Sequence, residues 1–190
     1  LRTPLTRLKL QLAMINQKNI SEKMSKDIDE MEKMLNDYLQ FAKIQAQENT
    51  SKVDLLILFN EIKNNLNNKN LFLGNLENIV LEGRLSALKR CFENVIQNGL
   101  VYGEKVYINI QKSSNRAIIS IEDNGPGIPE DQYKNVFRPF FRLDKSRSLN
   151  KSGVGLGLAI VEDIINSHGG SIQLSKSKSG GLQFKIFLPF

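Results

Sequence analysis

The stretch RAIISIEDNGPGIP, Arg116–Pro129, decides the fold. Its first half alternates: Ile119 and Ile121 share one parity, and Asp123 falls on the same side. A strand built this way buries its apolar face and carries a carboxylate inward with it. Such a charge is costly unless a specific donor meets it. Directly afterwards Gly125, Pro126 and Gly127 turn the chain tightly and leave room for a ligand against the backbone. A lone Asp-Asn-Gly is usually a strand-ending turn with a capping Asp. The alternation before it and the full string DNGPGIP make this one far more specific.

Working outward, KVYINIQKSSN pairs with that strand as a hairpin. Val106, Ile108 and Ile110 share a parity, and KSSN supplies the turn. Leu182, Phe184, Ile186 and Leu188 alternate inward in a closing hairpin. LFLGNLENIVLEG reads as short strands, and residues 54–67 as a helix. Leu85, Leu88, Phe92, Val95 and Gly99 mark one helix face. Pro129–Phe137 reads as a short helix, and a longer one runs from about Leu156 to Ser167, stopped by HGG. Strands and helices mix without strict βαβ alternation, which predicts an α+β sandwich with helices on one face of a mainly antiparallel sheet.

The first 47 residues read differently. Leu1, Leu5, Leu8, Leu12 and Ile15 step by four and three, the spacing of a coiled-coil seam. After NQKNIS, with Ser21 a plausible cap, the seam resumes at Met24, Ile28, Met31, Leu35, Tyr38 and Ala42. Two helices of about 16 and 25 residues form a hairpin with one apolar stripe each, so a second hairpin is the expected partner, giving a dimeric four-helix bundle. The expected organisation is a hairpin at 1–47, a polar linker at 48–53 and a second domain at 54–190. The chain has no initial Met and starts inside an apolar stripe, as a fragment would.

Composition narrows the function. Hydrophobic content of 41% and charged content of 24% suit a soluble globular protein. One Cys, Cys91, excludes an internal disulfide framework and fits a reducing compartment. Net charge is +6, but the basic residues are mostly dispersed rather than gathered on one face, which argues against direct nucleic-acid binding. One basic cluster stands out: Arg138, Arg142, Lys145, Arg147 and Lys151, beside a glycine-rich segment. It fits either a solvated loop or a polyanion clamp. No apolar run approaches the roughly 18 residues of a membrane span.

Two further constellations carry chemistry. In RCFENVIQNGLVYG, Arg90, Asn94, Asn98 and Tyr102 recur every four residues and form a line beside the apolar stripe. Amides so placed can offer neutral oxygens to a hard cation paired with phosphates, although alone they read as an ordinary polar face. In GVGLGLAIV, Gly153, Gly155 and Gly157 precede a helix whose first amides favour an anion. SLNKS rather than a strand precedes those glycines, which excludes a dinucleotide fingerprint. His168, the single histidine, sits at a helix end, where it caps or meets the dipole. One His and one Cys argue strongly against a zinc site or a Ser–His pair.

Taken in this order, and with VFRPFFR between them, these elements closely resemble the bacterial sensor histidine kinases, nearest to the EnvZ-like ones. The resemblance spans the chain: a helical dimerisation and phosphotransfer hairpin, then an ATP-binding domain of the Bergerat (GHKL) type. RCFENVIQNGLVYG resembles the N box, DNGPGIP the first G box, VFRPFFR the F box and GVGLGLAIV the second G box. LRTPLTR resembles the tail of an H box HELRTPLTR, cut just after its His and Glu.

The resemblance implies the cofactors ATP and Mg²⁺. Asp123 would accept from the adenine amino group, beside Gly125, Gly127 and Ile128, with Tyr102 packing on the ring. Asn98 would ligate Mg²⁺, and Asn94 would assist at the phosphates. Residues 138–152 would be a mobile lid, anchored by Phe137 and Phe140, whose Arg142 and Lys145 meet the triphosphate. Gly153, Gly155, Leu156 and Gly157 would face the phosphates, and Thr3 would match the Thr used in dephosphorylating a partner.

Also implied are homodimerisation through the hairpin, a response regulator receiver domain as partner, and a cytoplasmic position in an inner-membrane protein. Radiolabel from ATP should not enter this chain alone, because no histidine lies in residues 1–47. Departures from the family pattern are Val101, Val154 and Gly99, the last at a helix-interior cost of about 1 kcal/mol relative to Ala. A hydrolytic relative would carry a general-base Glu four residues before Asn98. This chain has Asn94 there, which disfavours water activation.

Overall fold

A computed structural model describes residues 24–25, 28–29, 31–32, 48–143 and 155–190. The chain divides into two compact units, Leu1–Ala46 and Gln47–Phe190. In the first unit, the described residues Met24, Ser25, Ile28, Asp29, Met31 and Glu32 are helical, with Ile28 buried and Met24 and Met31 exposed. The rest of the expected hairpin lies outside the described residues.

The second unit opens with β1 (Ser51–Asp54), so the last residues of the expected linker are already strand. β1 pairs antiparallel with β3 (Val80–Gly83) in a two-stranded sheet. Between them run α1 (Leu55–Leu66) and β2 (Leu71–Leu76). Asp54 ends β1 and caps α1 in one step: its Oδ1 accepts from Ile57 N at 3.1 Å. Asn67 closes α1 in the left-handed conformation, its N–H donating to Lys63 O at 3.0 Å.

α2 (Leu85–Tyr102) follows, then β4 (Val106–Ser113), β5 (Arg116–Asp123), α3 (Gly157–Ser167), β6 (Ser171–Lys176) and β7 (Leu182–Pro189). The main sheet runs β2-β4-β5-β7-β6. Only the β2–β4 pair is parallel. The mixed α+β sandwich is as expected.

Alternation does its work on the inner face. Val106, Ile108, Ile110, Ala117, Ile119, Ile121, Phe184, Ile186 and Leu188 are all buried. Against them lie Leu58, Phe59 and Ile62 of α1, Leu88, Phe92, Val95 and Ile96 of α2, and Val161, Ile164 and Ile165 of α3. Each buried Val, Leu, Ile or Phe side chain among them contributes roughly 1.5–3 kcal/mol on leaving water. Phe59 and Phe92 meet with ring centroids 4.6 Å apart, tilted at 42°.

Two expectations change. Leu85 is exposed rather than part of the α2 stripe, because the buried face is carried by Ala87, Leu88, Cys91, Phe92, Val95, Ile96 and Gly99. Pro129–Phe137 is two separate 3₁₀ turns, Glu130–Gln132 and Asn135–Phe137, each three residues long. Only Val136 in them is buried, too little apolar surface to hold a full helix. LFLGNLENIVLEG does form strands, but they join different sheets.

Candidate functional site

β5 delivers Asp123 to the inner face, where it is 8% exposed. Oδ1 takes two backbone donors, Gly125 N at 2.8 Å and Leu182 N at 3.2 Å. Both bonds fall on one oxygen, so Oδ2 is left for a donor from outside. Burial pushes the carboxyl above the usual range, and the two N–H groups pull partly back.

The turn behind it is tied to the end of α2. Asn124 Oδ1 accepts from Glu104 N and Lys105 N, each at 2.8 Å. Gly127 adopts φ +72°, which a side chain would strain. Tyr102, the last residue of α2, is 46% exposed, with its ring available to a flat ligand. An open depression beside it is lined by Tyr102, Gly103, Asn124, Gly125 and Pro126.

Two glycines admit the carboxylate. A Cβ at Gly181 would overlap Asp123 Oδ1 and the Asp123 carbonyl oxygen, and would come within 2.6 Å of Gly125 N. A Cβ at Gly99 would sit 2.7 Å from Val106 Cγ2 and 3.4 Å from Asp123 Cβ. The absence of Ala at position 99, read from the sequence as a propensity cost, thus clears the floor beneath Asp123.

Further up α2, Asn98 and Asn94 lie on the same side as Tyr102, as their spacing requires. From Asn94 to Tyr102 is eight residues, about 12 Å. Asn94 Nδ2 is a buried donor with no hydrogen-bond partner among the described residues. The rest of that amide faces the start of α3: a Cβ at Gly157 would lie 3.6 Å from Asn94 Oδ1. Leu156, the N-cap residue of α3, offers the first amides of the helix no side-chain acceptor. The unpaired Asn94 donor lies beside this helix start, an arrangement that fits a phosphate-like anion.

Phe140 N donates to Gly155 O at 2.9 Å, joining the two flanks of the basic segment. This contact is made by the Phe140 backbone, not its ring. Its ring is 60% exposed and its φ is +66°, while Phe137 is half-buried. Gly155 accommodates the closure at φ +79°, where a Cβ would stand 2.9 Å from Phe141 O. Leu156 is buried, and Gly125, Gly127 and Ile128 line the turn after Asp123. Arg142 is described and half-buried. Thr3, Lys145 and Gly153 lie outside the described residues.

His168 is structural. Its Nδ1 donates to Ile164 O at 2.7 Å, and Nε2 accepts from Arg84 N at 3.1 Å. Burial holds its pKa below the ordinary value. Arg84 Nη2 also donates to Ser167 Oγ at 2.5 Å, so the start of α2 is fastened to the end of α3. Glu48 completes that corner, accepting from Ser86 N at 2.6 Å and Ala87 N at 3.2 Å. Sequence reasoning missed Gly181, the Leu182 amide and Glu48. The pair Gly180-Gly181 ahead of an alternating strand was the one available signal.

Comparison with known proteins agrees with this geometry. Residues 83–190 match the family described as histidine kinase-, DNA gyrase B- and HSP90-like ATPase, and residues 1–47 match the His kinase A (phospho-acceptor) domain. Among curated proteins, the sensor histidine kinase GtrS of Pseudomonas aeruginosa is 34% identical over 195 residues, covering 100% of this chain and 40% of the relative. The sensor histidine kinase CpxA of Escherichia coli is 31% identical, over 100% of this chain and 44% of the relative. The chain therefore spans less than half the length of these relatives. Among solved structures, the mycobacterial sensor histidine kinase MprB superposes with a TM-score of 0.65 at 26% identity, over 74% of this chain and 97% of that one. With a buried Asp on the strand before a glycine turn, an Asn-lined helix and an anion-ready helix start, the chain belongs to the histidine kinase-, DNA gyrase B- and HSP90-like ATPase family, in its bacterial sensor histidine kinase branch.

Proposed function

We propose that the chain is the dimerisation and catalytic ATP-binding part of a two-component sensor histidine kinase. It would use Mg²⁺–ATP to phosphorylate a histidine outside these 190 residues, from which phosphate passes to an Asp of a response regulator. The observation that carries this is Asp123, buried with Oδ1 saturated and Oδ2 left over, at one end of α2 whose other half bears the orphan donor of Asn94.

Asp123 Oδ2 accepts from the adenine amino group, between Tyr102 on one side and Gly125, Gly127 and Ile128 on the other. Asn94 Nδ2 and the first amides of α3, with Gly153, Gly155, Leu156 and Gly157, hold phosphate oxygens. Arg142 and Lys145 add positive charge, with Phe140 closing the segment that carries them. Asn98 offers its amide oxygen to Mg²⁺, which when bound neutralises triphosphate charge. Catalysis is then mostly positioning and charge neutralisation, for which these groups suffice.

Residues 1–47 serve as the dimerising hairpin, and 54–190 as the nucleotide domain. Thr3 lies in the segment that would meet the response regulator. The full protein would be held at the inner membrane with this part in the cytoplasm, and no nucleic acid is bound directly.

Two measurements test the reading. Calorimetry should show Mg²⁺–ATP binding to the intact chain and its loss on Asp123→Asn; no binding, or no loss, overturns it. Mixed with a hairpin carrying the full HELRTPLTR motif, the chain should place acid-labile phosphate on that partner's histidine.

A further inference from the structure

The turn between β6 and β7 is built around a buried hydroxyl. Ser177 is 5% exposed, and its Oγ donates to Glu122 Oε2 at 3.1 Å while accepting from Ser179 N at 3.0 Å. Its backbone N–H donates to Gly181 O at 2.8 Å, and its carbonyl accepts from Gly180 N at 3.1 Å. The other oxygen of Glu122 is taken by Gln183 Nε2 at 2.8 Å. Both oxygens of Glu122 thus grip the two sides of this turn.

Glu122 and Asp123 are consecutive on β5 and point to opposite faces of the sheet. What Glu122 fastens on the outer face is the segment that presses on Asp123 from the inner one. That segment supplies the Leu182 N–H to Asp123 Oδ1, and Gly181 packs so closely that a Cβ would overlap the carboxylate. If the turn shifts, Oδ1 loses one of its two donors and the carboxyl gains freedom to rotate.

We propose that Ser177, acting through Glu122 and the turn it closes, is a positioning residue for base recognition: it fixes the Asp123 carboxylate so that Oδ2 stays aimed at the ligand's exocyclic amino group. This rests on the base-binding reading of Asp123 above. Ser177 touches no ligand. Its effect is confined to nucleotides that use Asp123.

The test is calorimetry on the intact chain with Mg²⁺–ATP and with Mg²⁺–purine riboside triphosphate, which lacks the 6-amino donor. Wild type should prefer ATP by roughly tenfold or more, the value of a hydrogen bond to a charged group. Ser177→Ala should weaken ATP roughly 3- to 10-fold, about one hydrogen bond, and the desamino analogue less than about twofold. Ser177→Thr, which keeps the hydroxyl, should retain the wild-type preference.

Equal weakening for both nucleotides, or none for ATP, overturns the proposal, since a merely structural role would weaken both alike. Should Ser177→Ala not fold, Glu122→Gln removes charge from the same pair and is read by the same ratio. Asp123→Asn separates the two layers. If it leaves the preference intact, the base-binding reading falls; if it erases the preference while Ser177→Ala leaves the wild-type ratio unchanged, Ser177 alone is refuted.

Discussion

Adjacent glycines in the β6–β7 turn allow one chemical change to be compared in two environments. At Gly181 an added Cβ meets the Asp123 carboxylate, the Asp123 carbonyl and Gly125 N, none of which is the free end of a flexible chain. Relief requires β5 or the turn to move by about 1 Å, placing the cost near the top of the overpacking range, about 3 kcal/mol. The Leu182 N–H bond to Asp123 is stretched in the process, adding about 1 kcal/mol. For a unit of this size the total of about 4 kcal/mol lowers Tm by roughly 12 °C.

At Gly180 a Cβ meets nothing within 4 Å, and only the φ of +100° opposes it. Backbone strain of that kind costs about 1–2 kcal/mol, or roughly 3–6 °C. Gly180→Ala should also keep nucleotide affinity, whereas Gly181→Ala should lose it together with stability. Differential scanning calorimetry with and without Mg²⁺–ATP reads both effects. If Gly181→Ala melts within about 3 °C of wild type and still binds nucleotide, the close packing of the turn on Asp123 is not what holds the carboxylate.

Three further outcomes follow from the same contacts. Asp123→Asn keeps the Oδ1 acceptor and removes a buried charge. Because burial raises the folded-state pKa, the stabilising linkage belongs to acid pH and is gone once the group ionises, so at pH 7.5 the variant should melt no lower than wild type while ATP affinity falls roughly 10- to 100-fold; a lower Tm contradicts this. His168 has the opposite sign: its lowered pKa makes it stabilising above its unfolded pKa near 6.5, and this is lost as pH falls. His168→Ala should therefore cost about 2 kcal/mol at pH 7.5, two hydrogen bonds, and clearly less at pH 5, as melting curves at the two pH values will show. Glu48→Gln weakens the charged cap on α2 and should lower Tm by roughly 3 °C, about 1 kcal/mol, an effect that should shrink in high salt.

The parts of the fold written in local periods were legible. Period two placed Ile119, Ile121 and Asp123 on one buried face, and the four-residue step put Asn94, Asn98 and Tyr102 in one line. Asp54 and Asn67 bound α1 through chemistry that acts within a turn. What escaped reading depends on partners distant in sequence. β3 pairs with β1 rather than with its neighbour β2, and β2 runs parallel to β4, choices no short window encodes. The role of Gly181 exists only because β7 lies against β5. Glu48 looked like one more polar residue in a linker, since a cap donated from 38 residues away leaves no local signature. Gly99 was misjudged for the same reason: helix propensity is local, whereas the Val106 methyl that forbids a Cβ is not.

The distribution of satisfied and unsatisfied groups along α2 indicates where a ligand contributes most. At the end proposed to take the base, the turn is fixed beforehand: Asn124 locks it, and Gly125 and Leu182 fill Asp123 Oδ1, leaving Oδ2 to the ligand. At the start of α2, Glu48, Arg84 and His168 fasten the helix, so its functional line stands between two fixed ends. Between those ends, among the described residues, the buried Nδ2 of Asn94 has no partner, beside a helix start that its own N-cap residue does not cap. A buried unpaired donor costs about 1–3 kcal/mol, which an anion placed there removes. On the proposed reading this end would discriminate between bases, because its geometry is set before binding. On the same reading the phosphate end would be stabilised by its ligand, because the Asn94 donor is met only on binding. Changes near Asp123 should therefore act on which nucleotide binds, and changes near Asn94 and Gly157 on how far binding raises Tm.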